Sequence, residues 1–312
     1  MILKHALFAA VVVGAGSAGA LAQQQKPLQI GMTVGSLGNP YFVAAAKGAQ
    51  AKAKQLNAKS RLTATSSDYD LNKQSTQIDN FISAGDNLVL LNAVDPVAIF
   101  PAIKRAQAQS IVVSAFDVSA QGADVTVETD NTAAGQIACQ YLAETIGHKG
   151  DVVIINGPPV SAVVDRVKGC KATLGKDAGI KVVSDNLNAN GSRDGGFAMM
   201  QGLLTRFPHI DGVFGINDPT SIGADLAAKQ LHRTEMKIVS VDGSPDIEAS
   251  LKQAGSLIIA SSSQDPYTMA QKAVSLGAEV LDGKKPAETT VLLAPKLITR
   301  QNVGEYKGWA SH

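Results

Sequence analysis

The chain has 312 residues, and its 28 Lys and Arg residues against 27 Asp and Glu residues give a formal net charge of +1 at pH 7. This balance offers no basic surface for nucleic acid and no acidic tail for a tethered partner. The length suits two domains of ordinary size, each able to bury its own core.

The first 22 residues are typical of a secretory signal peptide rather than of a folded element. Lys4 gives a basic start, Ala6–Val13 is apolar, and Ala20-Leu21-Ala22 is a small-x-small cleavage site, so we expect cleavage after Ala22. A membrane anchor is the weaker interpretation, because a span needs about 20 apolar residues. The sequence Gly14–Gly19 matches G-x-G-x-x-G, but it lies in this segment and lacks the preceding strand of a nucleotide site.

Strand and helix patterns then alternate to the end of the chain. The predicted strands are Leu28–Val34, Arg61–Ser66, Asn87–Asn92, Ile111–Ala115, Asp151–Asn156, Ile180–Ser184, Gly212–Ile216, Lys237–Val241 and Leu257–Ser262. The predicted helices are Tyr41–Leu56, Leu71–Ala84, Val97–Gln107, Thr132–Ile146, Ser161–Lys176, Gly195–Phe207, Ser221–Leu231, Pro245–Gln253 and Tyr267–Leu281. Such alternation indicates an α/β protein with parallel sheets covered by helices on both faces.

The position of Val125–Thr129 favours two sheets over one. Four βα units precede this segment and four follow it, so two similar lobes fit better than a single nine-stranded sheet. We expect Val125–Thr129 to be the first segment that crosses between the lobes. Ser261–Gln264 is the expected second crossing, and Leu292–Arg300 the third.

Polar and aromatic side chains collect where strands end and helices begin. That edge is where open α/β sheets bind ligands. The candidate residues there are Asn39, Tyr41, Phe42, Asp117, Arg166, Asn217, Asp242 and Gln264. Core packing is an equal alternative for Phe42, and Asp218 and Asp265, each before a proline, are expected to be helix caps.

The chemistry of this set favours a neutral ligand with several hydroxyl groups. Carboxylates accept from pairs of hydroxyls, a guanidinium donates in a fork, and amides do both. An aromatic face covers the apolar side of a sugar ring. No cofactor is implied.

The two cysteines leave an open choice. A secreted context permits a disulfide between Cys139 and Cys170. Two buried free thiols are the alternative.

With these residues in view, the whole mature chain resembles the ribose-binding family of periplasmic proteins, the sugar-binding components of ABC importers. The most specific stretches are Asn39–Phe42, Phe214–Asp218, Val241–Asp246 and Gln264. The resemblance implies the type I periplasmic binding protein fold, with two doubly wound lobes closing on the sugar around three hinge crossings. It also implies that the eight candidate residues contact the ligand.

The resemblance carries further expectations. These are a location in the periplasm, a sugar or polyol ligand, delivery to the permease subunits of an ABC importer, a monomeric state and no stable membrane insertion. The expected division of the chain is a signal peptide at 1–22, a first lobe of 23–128 plus 263–291, and a second lobe of 129–262 plus 292–312.

Four positions depart from the ribose pattern. They are Val118 in place of an arginine, Val241 in place of a phenylalanine, Gly35 in place of a serine, and the region of Gly191, where an aromatic is missing although Phe197 is near. The loss of one guanidinium and two rings leaves room and changes the hydrogen-bonding groups. Another pentose, a deoxy sugar or a linear polyol therefore fits as well as ribose.

Other classes of function fit less well, with one exception. A repressor effector domain would need a helix-turn-helix before residue 30, where the signal peptide stands. A secreted hydrolase lacks histidines at metal spacing and a Gly-x-Ser-x-Gly elbow. Asp117 and Asp242 are a conceivable glycosidase pair, but we expect Arg166 and the amides to keep both ionised, so no enzyme activity is predicted. A receptor module that reports to a chemoreceptor or sensor kinase remains an alternative to the importer.

Overall fold

The computed structural model describes residues 26–309. The signal peptide, its cleavage site and Gly14–Gly19 lie outside that range. None of the helices within residues 26–309 is both long enough and apolar enough to span a membrane.

Strands and helices alternate as the sequence predicts. The strands are β1 (Gln29–Val34), β2 (Arg61–Ser66), β3 (Leu88–Leu91), β4 (Val112–Phe116), β5 (Val125–Thr129), β6 (Lys149–Asn156), β7 (Gly179–Asn188), β8 (Gly212–Gly215), β9 (Lys237–Asp242), β10 (Ile258–Ser263), β11 (Thr290–Leu293) and β12 (Lys296–Thr299). The helices are α1 (Pro40–Leu56), α2 (Leu71–Ala84), α3 (Phe100–Ala108), α4 (Asn131–Thr145), α5 (Ser161–Leu174), α6 (Arg193–Arg206), α7 (Asp218–Gln230), α8 (Pro245–Lys252) and α9 (Pro266–Leu281).

The strands form two six-stranded sheets, which confirms two lobes and makes the single nine-stranded sheet wrong. Their orders are β11-β5-β4-β3-β1-β2 and β12-β10-β9-β8-β6-β7. Within the described chain β12 pairs antiparallel with β10, and the other neighbours pair parallel. Each central strand is an almost continuous apolar run, as expected for a parallel strand covered by helices on both faces.

The chain passes between the sheets three times. It leaves the first sheet at Thr129 and returns after Ser263, where α9 packs against α1 and β4. The third passage is shorter than the expected segment Leu292–Arg300, because β11 still pairs with β5 through Leu293 and β12 begins at Lys296. The boundary between the lobes that the sequence predicts, between residues 291 and 292, therefore falls inside β11.

Some helices begin at other residues than the sequence predicts: for example, α7 begins earlier than Ser221, and α3 begins later than Val97. The helix α7 begins at Asp218 because the Oδ1 atom of Asn217 accepts from the backbone N–H of Thr220. The helix α3 begins at Phe100 because the preceding turn is held by Asp95, whose Oδ1 accepts from Val97 and Ala98.

A disulfide joins Cys139 on α4 to Cys170 on α5, in the second lobe. The two helices approach closely because Gly135 and Gly169 face the partner backbone. A Cβ atom on Gly135 would lie 2.0 Å from the carbonyl oxygen of Arg166. This close packing against α4 fixes the position of α5, the helix that carries Arg166 at the cleft between the lobes.

Candidate ligand-binding site

A small cavity of about 50 Å³ lies between the lobes. All eight candidate residues line it, so the structure brings together every side chain that the sequence selected. Its lining comprises Asn39, Tyr41, Phe42, Tyr69, Asp117, Pro158, Val160, Ala162, Val163, Arg166, Gly191, Ile216, Asn217, Asp242 and Gln264. A larger cavity of about 750 Å³ lies at the crossing segments and the C-terminal segment, but Gln264 is the one candidate residue in its lining.

The first-lobe wall begins at the start of α1. The Oδ1 atom of Asn39 accepts from the backbone N–H of Tyr41, so Asn39 caps the helix as well as lining the cavity. The ring of Tyr41 meets those of Phe42 and Trp309 edge to face, with centroid distances of 5.3 Å and 5.7 Å. The Tyr41 hydroxyl lies 3.4 Å from the sulfur of Met269. Tyr41 is thus held by its own lobe and by the C-terminal segment, and Phe42 lies beside it in the wall.

Asp117 follows β4 and adopts a left-handed backbone conformation with φ of 66°. The Nδ2 atom of Asn92 donates to Asp117 Oδ2 at 2.8 Å, and Asn92 Oδ1 accepts from the backbone N–H of Gly35. Burial raises the pKa of Asp117 above its usual range, although Arg166, Tyr41 and Asn92 oppose this rise.

The second-lobe wall is organised around Arg166. Its Nε donates to Asn131 Oδ1 at 2.9 Å, and Nη1 donates to the carbonyl oxygen of Ile216 at 2.9 Å. Nη1 also lies 3.4 Å from Asp242 Oδ1, and both side chains of this ion pair are almost fully buried. The guanidinium is therefore fixed before any ligand arrives, which removes an ordering cost from binding.

Asp242 connects the second lobe to the crossings. Gln264 Nε2 donates to Asp242 Oδ1 at 2.7 Å, and Thr129 Oγ1 donates to Gln264 Oε1 at 2.8 Å. Both Thr129 and Gln264 lie at points where the chain passes between the lobes. Two hydrogen bonds therefore connect the Asp242 carboxyl group to two of the crossings, one at Gln264 and one at Thr129.

Burial in this closed cavity acts against the expectation that Asp117 and Asp242 both stay ionised, because it raises the pKa of each carboxyl group. Burial raises the pKa of Asp242 to about 8, and Arg166 only partly opposes the rise. The cause is the removal of water from a site with one guanidinium and several carboxylates. The argument from ionisation against a general-acid role therefore does not stand.

The cap expectation holds for Asp265 and fails for Asp218. The Oδ1 atom of Asp265 accepts from the backbone N–H of Thr268. The buried carboxylate of Asp218 instead accepts from the backbone N–H of Ser244 at 2.7 Å and from Ser261 Oγ at 2.8 Å. Asn217 caps α7 and donates from Nδ2 to the carbonyl oxygen of Gly191. It thus holds the loop that follows β7.

Sequence reasoning left four residues out of the candidate set. Asn92 and Tyr69 follow strands β3 and β2, so a strict strand-end rule would have included them. Asn131 begins α4 and orients Arg166. Trp309 has no local signal, because its contacts with Tyr41 and with the carbonyl oxygen of Gln264 are far apart in sequence.

The lobes also touch at the rim of the cavity. The backbone N–H of Ser119, after β4, donates to Ser161 Oγ at the start of α5, at 2.8 Å. Because these residues belong to different lobes, the structure is a closed form. Within residues 26–309 no cluster of three or more His, Cys, Asp or Glu side chains is arranged to hold a metal ion.

Comparisons with known proteins agree with this architecture. The ribose import binding protein of Bacillus subtilis is 30% identical over 267 residues, which cover 85% of each chain. The xylitol-binding protein of Mycolicibacterium smegmatis is 29% identical over 306 residues, which cover 96% of this chain and 86% of the relative. A solute-binding protein of an ABC transporter from Mycobacterium smegmatis, solved with bound glycerol, superposes with a TM-score of 0.83 at 26% identity, covering 90% of this chain and 96% of that one.

A family model places the chain directly. The model of the periplasmic binding protein domain matches residues 30–285, a range that includes all eight candidate residues. The structure has two lobes, each with a six-stranded sheet, and three crossings between them. The chain belongs to the periplasmic binding protein family.

Proposed function

We propose that this protein is an extracytoplasmic solute-binding protein that captures a neutral sugar or polyol between its lobes and delivers it to an ABC importer. The observation that carries the proposal is the convergence of polar and aromatic side chains from both lobes on one closed cavity. Neither lobe alone surrounds a ligand there. The relatives named for ribose, xylitol and D-apiose support the ligand class.

In this proposal each wall has its own task. Phe42, supported by Tyr41, covers the apolar C–H side of the ligand. Asp117 and Asn39 accept and donate at the hydroxyls facing the first lobe. Arg166 and Asp242 bind those facing the second. Asn217 and Gln264 complete the set, and the ligand exchanges its water shell for these groups.

The proposed division of the chain follows the sheets. A signal peptide of residues 1–22 is cleaved after Ala22. The first lobe then consists of 23–129 and 264–293, and the second of 130–263 and 294–312, which adjusts the expected division of 23–128 plus 263–291 and 129–262 plus 292–312 to the ends of β5, β10 and β11. We propose that the mature protein is a monomer, since one ligand is enclosed by one chain.

The protein is proposed to bind without turnover. Because burial raises the pKa values of Asp117 and Asp242, the absence of turnover has to be tested by experiment and not inferred from missing sequence motifs. Sugars incubated with the purified protein and followed by NMR over hours should remain unchanged. Appearance of a hydrolysed or oxidised product that scales with protein concentration would contradict the proposal.

The direct test is a thermal-shift screen of the mature protein against pentoses, hexoses and linear polyols. A ligand present at 100 times its dissociation constant stabilises the folded state by about 2.7 kcal/mol, which such a screen detects. Calorimetry then gives the affinity of each hit. If no neutral sugar or polyol binds, the proposed function is wrong.

A further inference from the structure

Tyr69 lies in the cavity wall although it belongs to a loop, between β2 and α2. It has a left-handed backbone conformation with φ of 58°, next to Asp68 with φ of 53°. This conformation is uncommon for residues other than glycine and is held here by tertiary contacts. The backbone N–H of Tyr69 donates to the carbonyl oxygen of Gly35 at 3.2 Å, which brings the loop over the end of β1.

Gly35 makes room for this ring. A Cβ atom at Gly35 would lie 2.5 Å from Cε1 and 2.7 Å from Cζ of Tyr69, well inside van der Waals contact. Gly35 is not among the glycines with positive φ, so its backbone does not require glycine. The ring of Tyr69 requires it. A serine, which the ribose pattern places at this position, would exclude the ring from where it now lies.

Tyr69 lines the cavity together with the charged residues Asp117, Arg166 and Asp242. Burial raises the pKa of Tyr69, and the carboxylates of Asp117 and Asp242 add to this rise. Among residues 26–309 no hydrogen bond engages the Tyr69 hydroxyl. Val118, which replaces the expected arginine beside Asp117, is buried in the core and is not part of the cavity lining. Tyr69 therefore brings a donor to the first-lobe wall, where Val118 supplies none beside Asp117.

We propose that Tyr69 is a specificity-determining residue of this site, with its hydroxyl bonded to a ligand hydroxyl near Asp117 and its ring admitted by Gly35. The inference rests on the proposed function, because it assumes that the cavity binds a neutral polyol or sugar. A site that hydrogen-bonds a hydroxyl discriminates strongly against an analogue that lacks it. The Tyr69 hydroxyl thus selects ligands by their hydroxyl pattern, and the Tyr69 ring selects them by their size.

The first test removes the hydroxyl alone. Calorimetry with ribitol, xylitol, D-ribose and 2-deoxy-D-ribose compares the wild type with Tyr69→Phe and with the control Tyr141→Phe, whose hydroxyl bonds Gln301 at the surface. For panel members that the wild type binds best, Tyr69→Phe should weaken binding by about 3- to 10-fold. Tyr141→Phe should change nothing. Wild-type affinity of Tyr69→Phe for every bound panel member would overturn the proposal.

The second test uses the steric pairing of the two residues. Gly35→Ala should weaken binding and lower the melting temperature, because the new Cβ displaces the ring. The same change in a Tyr69→Ala background should have almost no effect, so the double-mutant cycle shows strong coupling. Equal effects of Gly35→Ala in both backgrounds would overturn the pairing.

The two proposals fail in different ways. Any hit of the thermal-shift screen over pentoses, hexoses and polyols joins the calorimetric panel, and if the wild type binds no compound of the panel or the screen, the ligand class in the proposed function is wrong. The melting-temperature cycle still decides whether Gly35 admits Tyr69, because it needs no ligand. If the wild type binds and Tyr69→Phe is indistinguishable from it, the assignment of Tyr69 is wrong while the proposed function stands.

Discussion

The two walls of the cavity are built differently. The first-lobe wall combines the polar side chains of Asn39 and Asp117 with aromatic rings held by neighbours of their own lobe or of the C-terminal segment, as Tyr41 is by Met269 and Trp309. The second-lobe wall is a chain of charged and amide groups that runs from Arg166 through Asp242 to Gln264. The difference indicates that the first lobe provides the aromatic surface beside its polar groups, while the second provides the buried ion pair and its connection to the crossings.

The largest effect is expected from the second-lobe wall. Arg166→Ala leaves Asp242 buried without its cation and should cost about 2–5 kcal/mol of ligand affinity. Calorimetry measures it, with Arg193→Ala as control, because Arg193 pairs with Asp246 at the surface of the same lobe. Near-normal binding by Arg166→Ala would break the distinction between the walls.

The disulfide stabilises only the second lobe in this account. It closes a segment with a sequence separation of 31, so its removal by Cys139→Ala with Cys170→Ala should lower the free energy of unfolding by about 3–4 kcal/mol. Denaturant unfolding measures the loss. Ligand affinity at low temperature should stay unchanged, since neither cysteine lines the cavity. A large loss of affinity without a loss of stability would contradict the assignment.

The charged wall should also make stability depend on pH. Burial raises the pKa of Asp242 to about 8 and that of Asp218 to about 6, against about 3.9 in an unfolded chain. The folded state then binds more protons than the unfolded state between these values. The contribution of these two groups to stability is therefore fully present below about pH 4 and is lost as the pH rises to about 8.

Asp242→Asn sharpens this prediction, because it removes one titrating group and keeps the side chain's shape. Urea unfolding between pH 4.5 and 8 should show a shallower fall in stability than in the wild type. Asp246→Asn, at an exposed carboxylate, should leave the fall as it is. An unchanged slope in Asp242→Asn would place the pH dependence elsewhere, with Glu128, whose pKa burial raises to about 7, as the next group to replace.

The smallest effect is expected from the support of the aromatic wall. Trp309→Phe removes the N–H that donates to the carbonyl oxygen of Gln264 and shrinks the ring that meets Tyr41. The aromatic contact is worth about 0.5–1.5 kcal/mol, so affinity should fall by about tenfold at most. A loss as large as that of Arg166→Ala would mean that the aromatic surface of the first lobe contributes as much as the buried ion pair.

Most of the fold could be predicted from the sequence because parallel α/β structure gives each strand and helix a local signature. Buried strands such as Leu88–Leu91 are continuous apolar runs, and the residue after each strand points to the ligand edge. That rule found Asp117 and Asp242 without any knowledge of packing. The position of the third crossing was harder to predict, since Leu292 and Leu293 look alike whether they pair with β5 or leave it.

The remaining parts of the site depend on tertiary contacts. Tyr69 enters the cavity only because Gly35 has no side chain, and the two are 34 positions apart in a register set by the pairing of β1 with β2. The raised pKa of Asp242 depends on how completely the closed lobes exclude water, which no spacing encodes. The support of Tyr41 by Trp309 likewise appears only when the C-terminal segment returns to the first lobe.

The central claim is that both walls bind one ligand at once and that the lobes close on it. The crossings at Thr129, Ser263 and Leu293 absorb this rotation, and the ligand shifts the equilibrium by its differential affinity for the closed form. Small-angle scattering with and without saturating ligand, in samples shown by calorimetry to be bound, measures it. The account predicts a smaller radius of gyration with ligand than without. An unchanged radius in a saturated sample would contradict it.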